Sequence, residues 1–588
     1  MKQFQKVGLA AAVATVAASS VAQVVGPDSA VSRTETGDLA IIPYYTVLDG
    51  TNTGMHIINT TDSTQVVKVR LRRGTDSKDA LDFNLVMSPR DEWTANIGPG
   101  GANGVLVTTN DTTCTVPAFP EGGAEMPDTY SEGATEGYVE VIAMAETTDE
   151  NQPIAIAAKH AAGVPADCAE VRQNFYRVAA ANVEGDEYVR GVHTSILTSN
   201  GGDCTANVAN TAATDCAKTG AGNLSSFQDS ADNALKVSFM LTDPAGGLEA
   251  GDNAVMVEGF ADAAMMTNQQ PLSFGTDGLL NYDPLNFELP NLANGAYASS
   301  VTARSSAMPA GMTNGTMWTS LSDALDADSI ANDWAAFSTS DGTVHADWVV
   351  TLPGQYVMTN PICDTYEEYS QANATAAAAC DPAGANSAVA SGYVADRNQL
   401  PLIVASNVDG DALVGNGDVA NMNLWDREEL SLAGEESEKE PEDPDLGFSP
   451  GGSSGDPADP DVRVLLPNEV NVIAFGDADS ATAVMSNLKL SVTPPATSDR
   501  GWGRLDIQSG ATVAPQLWTI TGTDDDNVSA GLGISDAGFT GSAAVDADDI
   551  AVVGFAIWQR SFAAQAGNYG RMIEHSTITS TSTTRNSR

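Results

Sequence analysis

The sequence predicts an all-β protein built from one or more antiparallel β-sandwiches with long loops. Apolar and polar residues alternate with a period of two in many segments, whereas helical periodicity does not recur. The alternating segments are rich in aromatic and β-branched residues, which favour a pleated, half-buried setting. The stretches between them are rich in Gly, Asn, Thr, Asp and Ala, a composition typical of all-β proteins with elaborate loops.

The clearest prediction covers residues 66–87. In Val67 to Arg72 the apolar residues take one face of a strand and the cations take the other, and Leu81 to Leu85 repeat the alternation after a polar turn. We therefore predict an antiparallel hairpin or meander here. Further strands are predicted at Tyr138 to Ala145, Lys236 to Thr242, Ala254 to Phe260, Trp348 to Leu352, Val470 to Phe475, Leu488 to Val492 and Ile550 to Trp558.

The first residues have the pattern of an export signal. Lys2 and Lys6 precede the apolar run Val7 to Ala18, and Ser20 to Ala22 supplies the small residues that a signal peptidase recognises. We expect residues 1–22 to be removed and the mature chain to begin near Gln23. The apolar run is too short to span a bilayer, so the predicted location is extracellular or on the outer cell surface, without a transmembrane span.

The rest of the chain divides by composition. Residues 23–433 are predicted to form the β-rich domain or domains. Residues 434–463 hold ten acids, two bases and five prolines, which predicts a flexible acidic loop or linker. Residues 464–575 are predicted to be a C-terminal β-rich segment, either separate or completing the same sandwich. Residues 576–588 are mostly Ser and Thr and are expected to fray.

The charge balance restricts the partners. The 588 residues include 77 acids and 27 Lys or Arg, which gives a formal net charge of −50. Such a chain lacks the clustered cations that nucleic-acid phosphates require, so we predict no nucleic-acid partner. Charged residues make up only 18% of the chain, so the imbalance reflects scarce cations. The net charge calls for counterions, salt or divalent metal.

Cysteine usage agrees with export. The six cysteines contain no C-x-x-C pair, which favours disulfides over zinc or redox chemistry. Six cysteines allow fifteen pairings. Proximity along the chain pairs Cys204 with Cys216 and Cys363 with Cys380, which leaves Cys114 with Cys168.

The sequence lacks the common catalytic signatures H-E-x-x-H and G-x-x-x-x-G-K-[ST]. A Ser-His-Asp set assembled from distant positions stays open, because geometry and not chain order defines a triad. The five histidines available for it are His56, His160, His193, His345 and His575. A pair of carboxylates could serve glycoside hydrolysis, but a chain with so many acids always contains such pairs, so they do not indicate this activity. No catalytic residue and no organic cofactor is predicted.

One segment resembles a calcium loop. Asn407, Asp409, Asp411 and Asp418 occupy positions one, three, five and twelve of an EF-hand-type pattern, and their oxygen atoms are the ligands that calcium prefers. Ala412 stands where the sharp turn requires Gly, and an apolar, strand-like run precedes the loop. An ordinary polar turn is therefore the competing interpretation. Calcium is the predicted metal, with these four residues as its ligands.

Several separated blocks resemble an uncharacterised family of exported proteobacterial cell-surface proteins. The blocks are Asp38 to Val47, Asn59 to Asp62, Lys68 to Arg70, Leu81 to Pro89, Asp91 to Thr94, Asp347 to Pro353, Leu466 to Ile473 and Asn568 to Gly570. The resemblance spans most of the mature chain. It implies one continuous scaffold and a surface location, and it brings no known reaction and no catalytic residues.

These observations lead to two functional predictions. The first is a non-enzymatic structural protein of the cell surface, a subunit of an S-layer, extracellular filament or matrix, that assembles with itself through β-rich interfaces while cations screen its charge. A cell-surface polysaccharide is a second candidate partner. The alternative is a secreted hydrolase or a carbohydrate-binding adhesin with a dispersed site. No sortase-type terminal signal and no lipidated cysteine indicates how it would attach to the surface.

The export signal and the even number of cysteines give a first testable prediction. The mature protein should begin near Gln23 and contain no free thiol. Intact-mass measurement after thiol alkylation under non-reducing, denaturing conditions checks both points. Six alkylated cysteines would disprove the predicted disulfides.

Overall fold

The computed structural model is mostly strands, arranged in antiparallel sheets, and this confirms the predicted all-β class. It describes residues 28–75, 77, 79–126, 133–173, 227–243, 247–262, 264–265, 290–292, 298–300, 303–307, 316–354, 418–425, 463–466, 468–476, 483–492, 494, 499–507, 516–520, 539–544, 551–563 and 568–578. The predicted export signal and nearly all of the acidic segment 434–463 lie outside them.

The N-terminal part contains sixteen described strands and two short helices. These are β1 Ala30–Val31, β2 Leu39–Thr46, β3 Asn52–Asn59, β4 Gln65–Arg73, β5 Asp79–Met87, β6 Glu92–Pro99, β7 Val105–Thr108, β8 Cys114–Val116, β9 Ala124–Glu125, β10 Glu136–Thr147, α1 Pro153–Ala158, β11 His160–Ala161, β12 Val164–Pro165, α2 Cys168–Gln173, β13 Phe227–Gln228, β14 Leu235–Asp243, β15 Leu248–Asn253 and β16 Val255–Glu258. A single 3-10 turn, Leu48–Gly50, connects β2 to β3.

The C-terminal part contains one further helix and fourteen described strands. These are β17 Ala298–Ser300, β18 Ala303–Ala307, α3 Thr316–Leu325, β19 Ser329–Thr339, β20 Gly342–Thr351, β21 Asp418–Trp425, β22 Arg463–Leu466, β23 Val470–Phe475, β24 Lys489–Val492, β25 Arg500–Ile507, β26 Gln516–Ile520, β27 Phe539–Ala544, β28 Val553–Phe562, β29 Asn568–Glu574 and β30 Ser576–Ile578. Within the described part of the chain, no helix is both long and apolar enough to cross a membrane.

Two sheets form the N-terminal sandwich. The first has the order β1-β16-β2-β10-β4-β5-β8, and the second has the order β15-β14-β3-β6-β7-β9. The predicted hairpin is present as β4 and β5, with Gln65 opposite Met87. Aromatic rings join the layers: Phe83 of β5 lies 5.5 Å from Trp93 of β6, measured between ring centroids. Phe119 closes the cluster, 4.9 Å from Phe83.

The C-terminal strands form a third, larger sheet that turns back on itself at β19. The first half of β19 pairs with β25, and its second half pairs with β20. Gly503 of β25 lies over Trp348 of β20, where a Cβ atom would come within 3.1 Å of the indole. Glycine therefore permits the close approach of the two layers. Phe475 of β23 fills the space beside Trp348, with centroids 5.5 Å apart.

The third sheet shares its core with the N-terminal sandwich. Phe555 of β28 contacts Phe239 of β14 at 5.6 Å between ring centroids. Thr351 donates a 2.6 Å hydrogen bond to the carbonyl oxygen of Pro43, and Gly570 of β29 packs against Leu248 of β15. The buried apolar residues of the described chain accordingly form one continuous cluster.

The C-terminal tail, predicted to fray from residue 576, is ordered for at least three residues longer than expected. Ser576–Ile578 pairs as β30 with Ser329 to Ala331 of β19, although fraying was predicted from Ser576. His575 anchors this strand, because its Nε2 lies 3.0 Å from the carbonyl oxygen of Val349 and its Nδ1 lies 3.0 Å from Nδ2 of Asn332. Residues 579–588 lie outside the described part of the chain.

The cationic face of β4 is buried. The alternation of apolar and charged residues along the strand does not by itself predict this burial. Lys68, Arg70 and Arg72 are as inaccessible as the apolar residues on the opposite face. Asp82 of β5 lies across from Arg70, and its Oδ2 atom is 2.9 Å from both Lys68 Nζ and Arg70 Nη2. Arg72 Nε lies 3.3 Å from Oε1 of Glu140 on β10. We call Lys68, Arg70, Arg72, Asp82 and Glu140 the buried ionic row.

Hydroxyl groups extend the buried ionic row. The Tyr138 hydroxyl lies 3.2 Å from Glu140 Oε1 and 3.0 Å from the hydroxyl of Ser77. Arg72 Nη1 donates to the carbonyl oxygen of Ser77 at 3.2 Å. Each of these groups is held by a charge-assisted or neutral hydrogen bond, which offsets the cost of removing it from water.

The shared carboxylate gives a second prediction. Asp82→Ala removes the group that Lys68 and Arg70 both contact, and breaking a buried ion pair costs roughly 3–5 kcal/mol of unfolding free energy. Urea denaturation measures the change. The matched control is Asp62→Ala, which breaks the exposed Arg90–Asp62 pair and should change the free energy of unfolding far less, because solvent screens that pair. Equal, small effects of the two substitutions would show that the buried ionic row contributes little to stability.

Buried titratable groups give a third prediction. Burial raises the pKa of Asp347 and of Asp38 to about 7, so both groups favour folding below about pH 4 and lose that contribution as the pH rises to 7. Burial lowers the pKa of His575 to about 4, so its contribution is present above about pH 6.5 and is lost as the pH falls. Burial also raises the pKa of Asp229 to about 7 and lowers the pKa of His345, so three carboxyl groups oppose two imidazoles, and the free energy of unfolding should increase as the pH falls from 7 to 5.

The test is the pH slope of the free energy of unfolding, measured by urea denaturation. Asp347→Asn removes one titrating group. The slope of the free energy of unfolding against pH should therefore decrease between pH 4 and 7, by up to about 1.4 kcal/mol per pH unit. This readout is independent of any constant loss of stability. An unchanged slope would contradict the raised pKa of Asp347.

Candidate interaction surface

The structure describes only some of the residues predicted to form sites. Cys114 and Cys168 form a disulfide with an S–S distance of 2.01 Å, as predicted. Their bond ties α2 to β8. The other four predicted disulfide cysteines, Cys204, Cys216, Cys363 and Cys380, lie outside the described residues.

The predicted calcium ligands are almost all outside the described part. Asn407, Asp409 and Asp411 lie there, whereas Asp418 is the first residue of β21 and lies opposite Leu466 of β22. Among the described side chains there is no group of three or more His, Cys, Asp or Glu residues arranged to hold a metal ion. The calcium loop stays a prediction from the sequence.

The four described histidines have separate surroundings, and His193 lies outside the described residues. His56 Nε2 lies 3.3 Å from Oε2 of Glu92 on an adjacent strand. His345 is buried in β20, and burial lowers its pKa. His575 anchors β30, as described above.

His160 is the centre of a polar cluster. Its Nδ1 atom lies 3.2 Å from the Ser88 hydroxyl and 3.5 Å from Oδ2 of Asp91, while its Nε2 lies 3.3 Å from the Thr112 hydroxyl. In a hydrolase triad the nucleophile and the carboxylate contact opposite ring nitrogens. Ser88 and Asp91 share one nitrogen, and Thr112 donates to the carbonyl oxygen of Gly163 at 3.0 Å. The cluster ties the β11–β12 hairpin to the turn before β6.

A second group, of two arginines and three aromatic residues, lies on the outer face of β28 and β29, where the arginines and a tyrosine are exposed and the other two rings are partly buried. Because residues at positions i and i+2 share a face of a strand, Trp558, Arg560 and Phe562 project together from β28. Tyr569 and Arg571 project beside them from β29, since Arg560 lies opposite Tyr569 and Trp558 lies opposite Arg571. We call these five residues the arginine–aromatic face.

Packing on the other side of the two strands directs these side chains outward. Phe555 of β28 and Gly570 of β29 lie on the inner face and contact Phe239 and Leu248 of the second sheet. The alternating residues therefore lie on the opposite face, where Ala556 and Trp558 still contact the core and Arg560, Tyr569 and Arg571 reach solvent. Tyr569 is the extreme case, with 70% of its surface exposed.

Each arginine of this face lies against an aromatic ring. The guanidinium carbon of Arg560 is 4.7 Å from the centroid of Phe562, and that of Arg571 is 4.8 Å from the centroid of Trp558. Phe562 and Tyr569 meet edge to face, with centroids 5.6 Å apart. These cation–π contacts hold the guanidinium groups in place and leave their N–H edges for another acceptor.

Arg560 and Arg571 differ from exposed cations such as Arg90 and Lys236, which have carboxylate partners, whereas Arg33 and Lys159 are likewise exposed without an ion pair to a described carboxylate. Arg90 lies 3.0 Å from Asp62, and Lys236 lies 2.9 Å from Glu35. Neither Arg560 nor Arg571 makes an ion pair with a described carboxylate. In a chain with 77 acids and 27 cations, two adjacent exposed arginines without a carboxylate partner form an unusual local excess of positive charge.

The aromatic surface continues towards β19 and β25. Phe337 of β19 lies opposite Val344 of β20, which in turn lies opposite Arg560. The guanidinium carbon of Arg500 lies 5.2 Å from the Phe337 centroid. On β21 and β25, Trp425 and Trp502 stack with centroids 4.1 Å apart, and Trp502 is 40% exposed.

Sequence reasoning located part of this surface without identifying its role. Ile550 to Trp558 was predicted as a strand, and the observed strand is Val553–Phe562, four residues longer at its C-terminal end. The alternation of Trp558, Arg560 and Phe562 in the printed sequence is the signal that identifies the face. Pairing with β29 is a tertiary feature that this alternation does not predict.

Comparison with known proteins adds no relative. No protein-family model matches the chain, and neither a curated protein nor a solved structure matches it.

Proposed function

We propose that the protein is a non-enzymatic structural protein of the cell surface, whose copies associate through β-rich surfaces when cations screen their negative charge. The observation that supports this most directly is the arginine–aromatic face, in which two exposed arginines and an exposed tyrosine lie beside two partly buried rings on an otherwise acidic chain. Trp, Tyr and Arg are the residue types that dominate the energy of protein interfaces. The extracellular location, the resemblance to exported proteins and assembly into an S-layer, filament or matrix belong to this proposal.

Salt should govern the association. At −50, copies repel one another over a Debye length of about 10 Å in 0.1 M salt, so contacts form readily only when counterions reduce the repulsion. Calcium is the proposed physiological cation, because oxygen-rich turns of Asp and Asn can chelate it as well as be screened by it. The residues proposed to chelate it are Asn407, Asp409, Asp411 and Asp418.

Self-association is the fourth prediction. Sedimentation velocity and negative-stain imaging of the mature protein should show oligomers that grow as salt is first added to a dilute buffer, and roughly millimolar calcium should be more effective than the same concentration of magnesium. Asp409→Ala with Asp411→Ala should remove part of the calcium effect and leave the effect of sodium chloride unchanged. Glu121→Ala with Glu249→Ala, which removes the same charge from exposed positions outside the Asp-rich turns, is the matched control.

Two results would decide against the proposal. A protein that stays monomeric at high concentration in every salt is not an assembling subunit. If such a monomer also hydrolyses a polysaccharide or an ester, the hydrolase alternative replaces the structural one, and the cluster of Ser88, Asp91, Thr112 and His160 becomes the first place to look for its site.

A further inference from the structure

We propose that the arginine–aromatic face binds a carboxylate-bearing surface of a second copy of this chain. This inference rests on the proposed function and names the contact that produces it. The face is defined by Trp558, Arg560, Phe562, Tyr569 and Arg571, and its partner is defined by charge.

Charge complementarity selects a second copy as the partner. The chain has almost three acids for each Lys or Arg, so the surface of another copy presents mainly carboxylates. Two acidic surfaces repel each other, whereas a surface with arginines that lack a carboxylate partner attracts an acidic surface. The arginine–aromatic face provides this attraction without a bridging metal ion.

The geometry fits carboxylates in particular. A guanidinium group offers parallel N–H donors that match the two oxygens of a carboxylate. Stacking on Phe562 and Trp558 fixes the planes of Arg560 and Arg571 in advance, which reduces the conformational entropy lost on binding. Tyr569 adds exposed apolar area and a hydroxyl group beside them.

The contact must join unlike surfaces. Two copies of the arginine–aromatic face would oppose cation to cation, so a symmetric dimer through this face is disfavoured. Binding of the face to a different, acidic surface is heterologous, and repeated heterologous contacts give rings or open filaments. The proposed contact therefore leads to a polymer and not to a closed pair.

The contact also predicts a distinctive response to salt. Low concentrations of monovalent salt reduce the overall repulsion between copies and favour association. High concentrations screen the arginine–carboxylate attraction as well and weaken it. Association should consequently pass through a maximum as sodium chloride increases.

The experiment compares two pairs of substitutions that change the net charge equally. Arg560→Gln with Arg571→Gln alters the arginine–aromatic face, and Arg90→Gln with Lys236→Gln removes two cations that already have carboxylate partners. All four side chains are on the surface, so thermal unfolding should show that both variants stay folded. We expect the first variant to associate at least about tenfold more weakly, as for two arginines at the centre of an interface, and the control to change less than about threefold.

A cross-linking measurement identifies the partner surface. Arg560→Lys keeps the positive charge and adds an amine that a carbodiimide can join to a carboxylate in direct contact, forming an amide with loss of water. Mass spectrometry of the oligomer should find position 560 linked to an Asp or Glu of another copy, with isotope-mixed subunits distinguishing links between copies from links within one.

The outcomes separate this inference from the proposed function. If the wild type stays monomeric in every salt, the proposed function fails and the second-copy contact fails with it. If the wild type associates and both variants weaken it equally, net charge alone matters and the inference fails while the function stands. If Arg560→Gln with Arg571→Gln abolishes binding to alginate, an anionic polysaccharide, but leaves self-association intact, the partner is a polysaccharide and the second-copy contact is wrong.

Discussion

The fold depends on the contact of Lys68 and Arg70 with the carboxylate of Asp82 inside the first sheet. A buried charge is tolerated only when it is paired, so β4 and β5 can adopt only the register that brings these groups together. A shift by one residue would turn the cations into the apolar layer between the two sheets. The buried ionic row therefore fixes the register of β4 against β5 and β10, whose inner faces form the N-terminal core.

Both faces of the first N-terminal sheet are covered. The C-terminal strands pack against the N-terminal sandwich and complete its core. Phe555 meets Phe239, and Thr351 reaches the backbone at Pro43. This packing fixes the inner faces of β28 and β29. Their alternate residues lie on the opposite face, where Trp558 packs against the edge of the core and Arg560, Tyr569 and Arg571 extend beyond it into solvent, which produces the arginine–aromatic face.

Local alternation was sufficient to predict the fold class, the β4–β5 hairpin and seven of the other described strands, because a period of two is a property of each strand by itself. It could not predict that the cationic face of β4 is buried, since Lys68 and Arg70 acquire their partner Asp82 from another strand. For the same reason, the face formed by Arg560 and Tyr569 was not predicted: these residues come from two strands and become neighbours only through pairing. The later start of the tail follows from His575, whose two ring nitrogens are held by β19 and β20.

Because the chain has few cations, the position of each one strongly affects the electrostatic potential at the surface. Lys68, Arg70 and Arg72 are enclosed with carboxylates, so they contribute little to the field that another molecule meets at the surface. Exposed cations such as Arg90 are neutralised locally by an adjacent acid. Arg560 and Arg571, which are exposed, close together and held by rings instead of carboxylates, keep a local positive potential that a partner can meet. A strongly acidic protein can in this way keep its copies apart in dilute salt and still present a specific surface on which they meet.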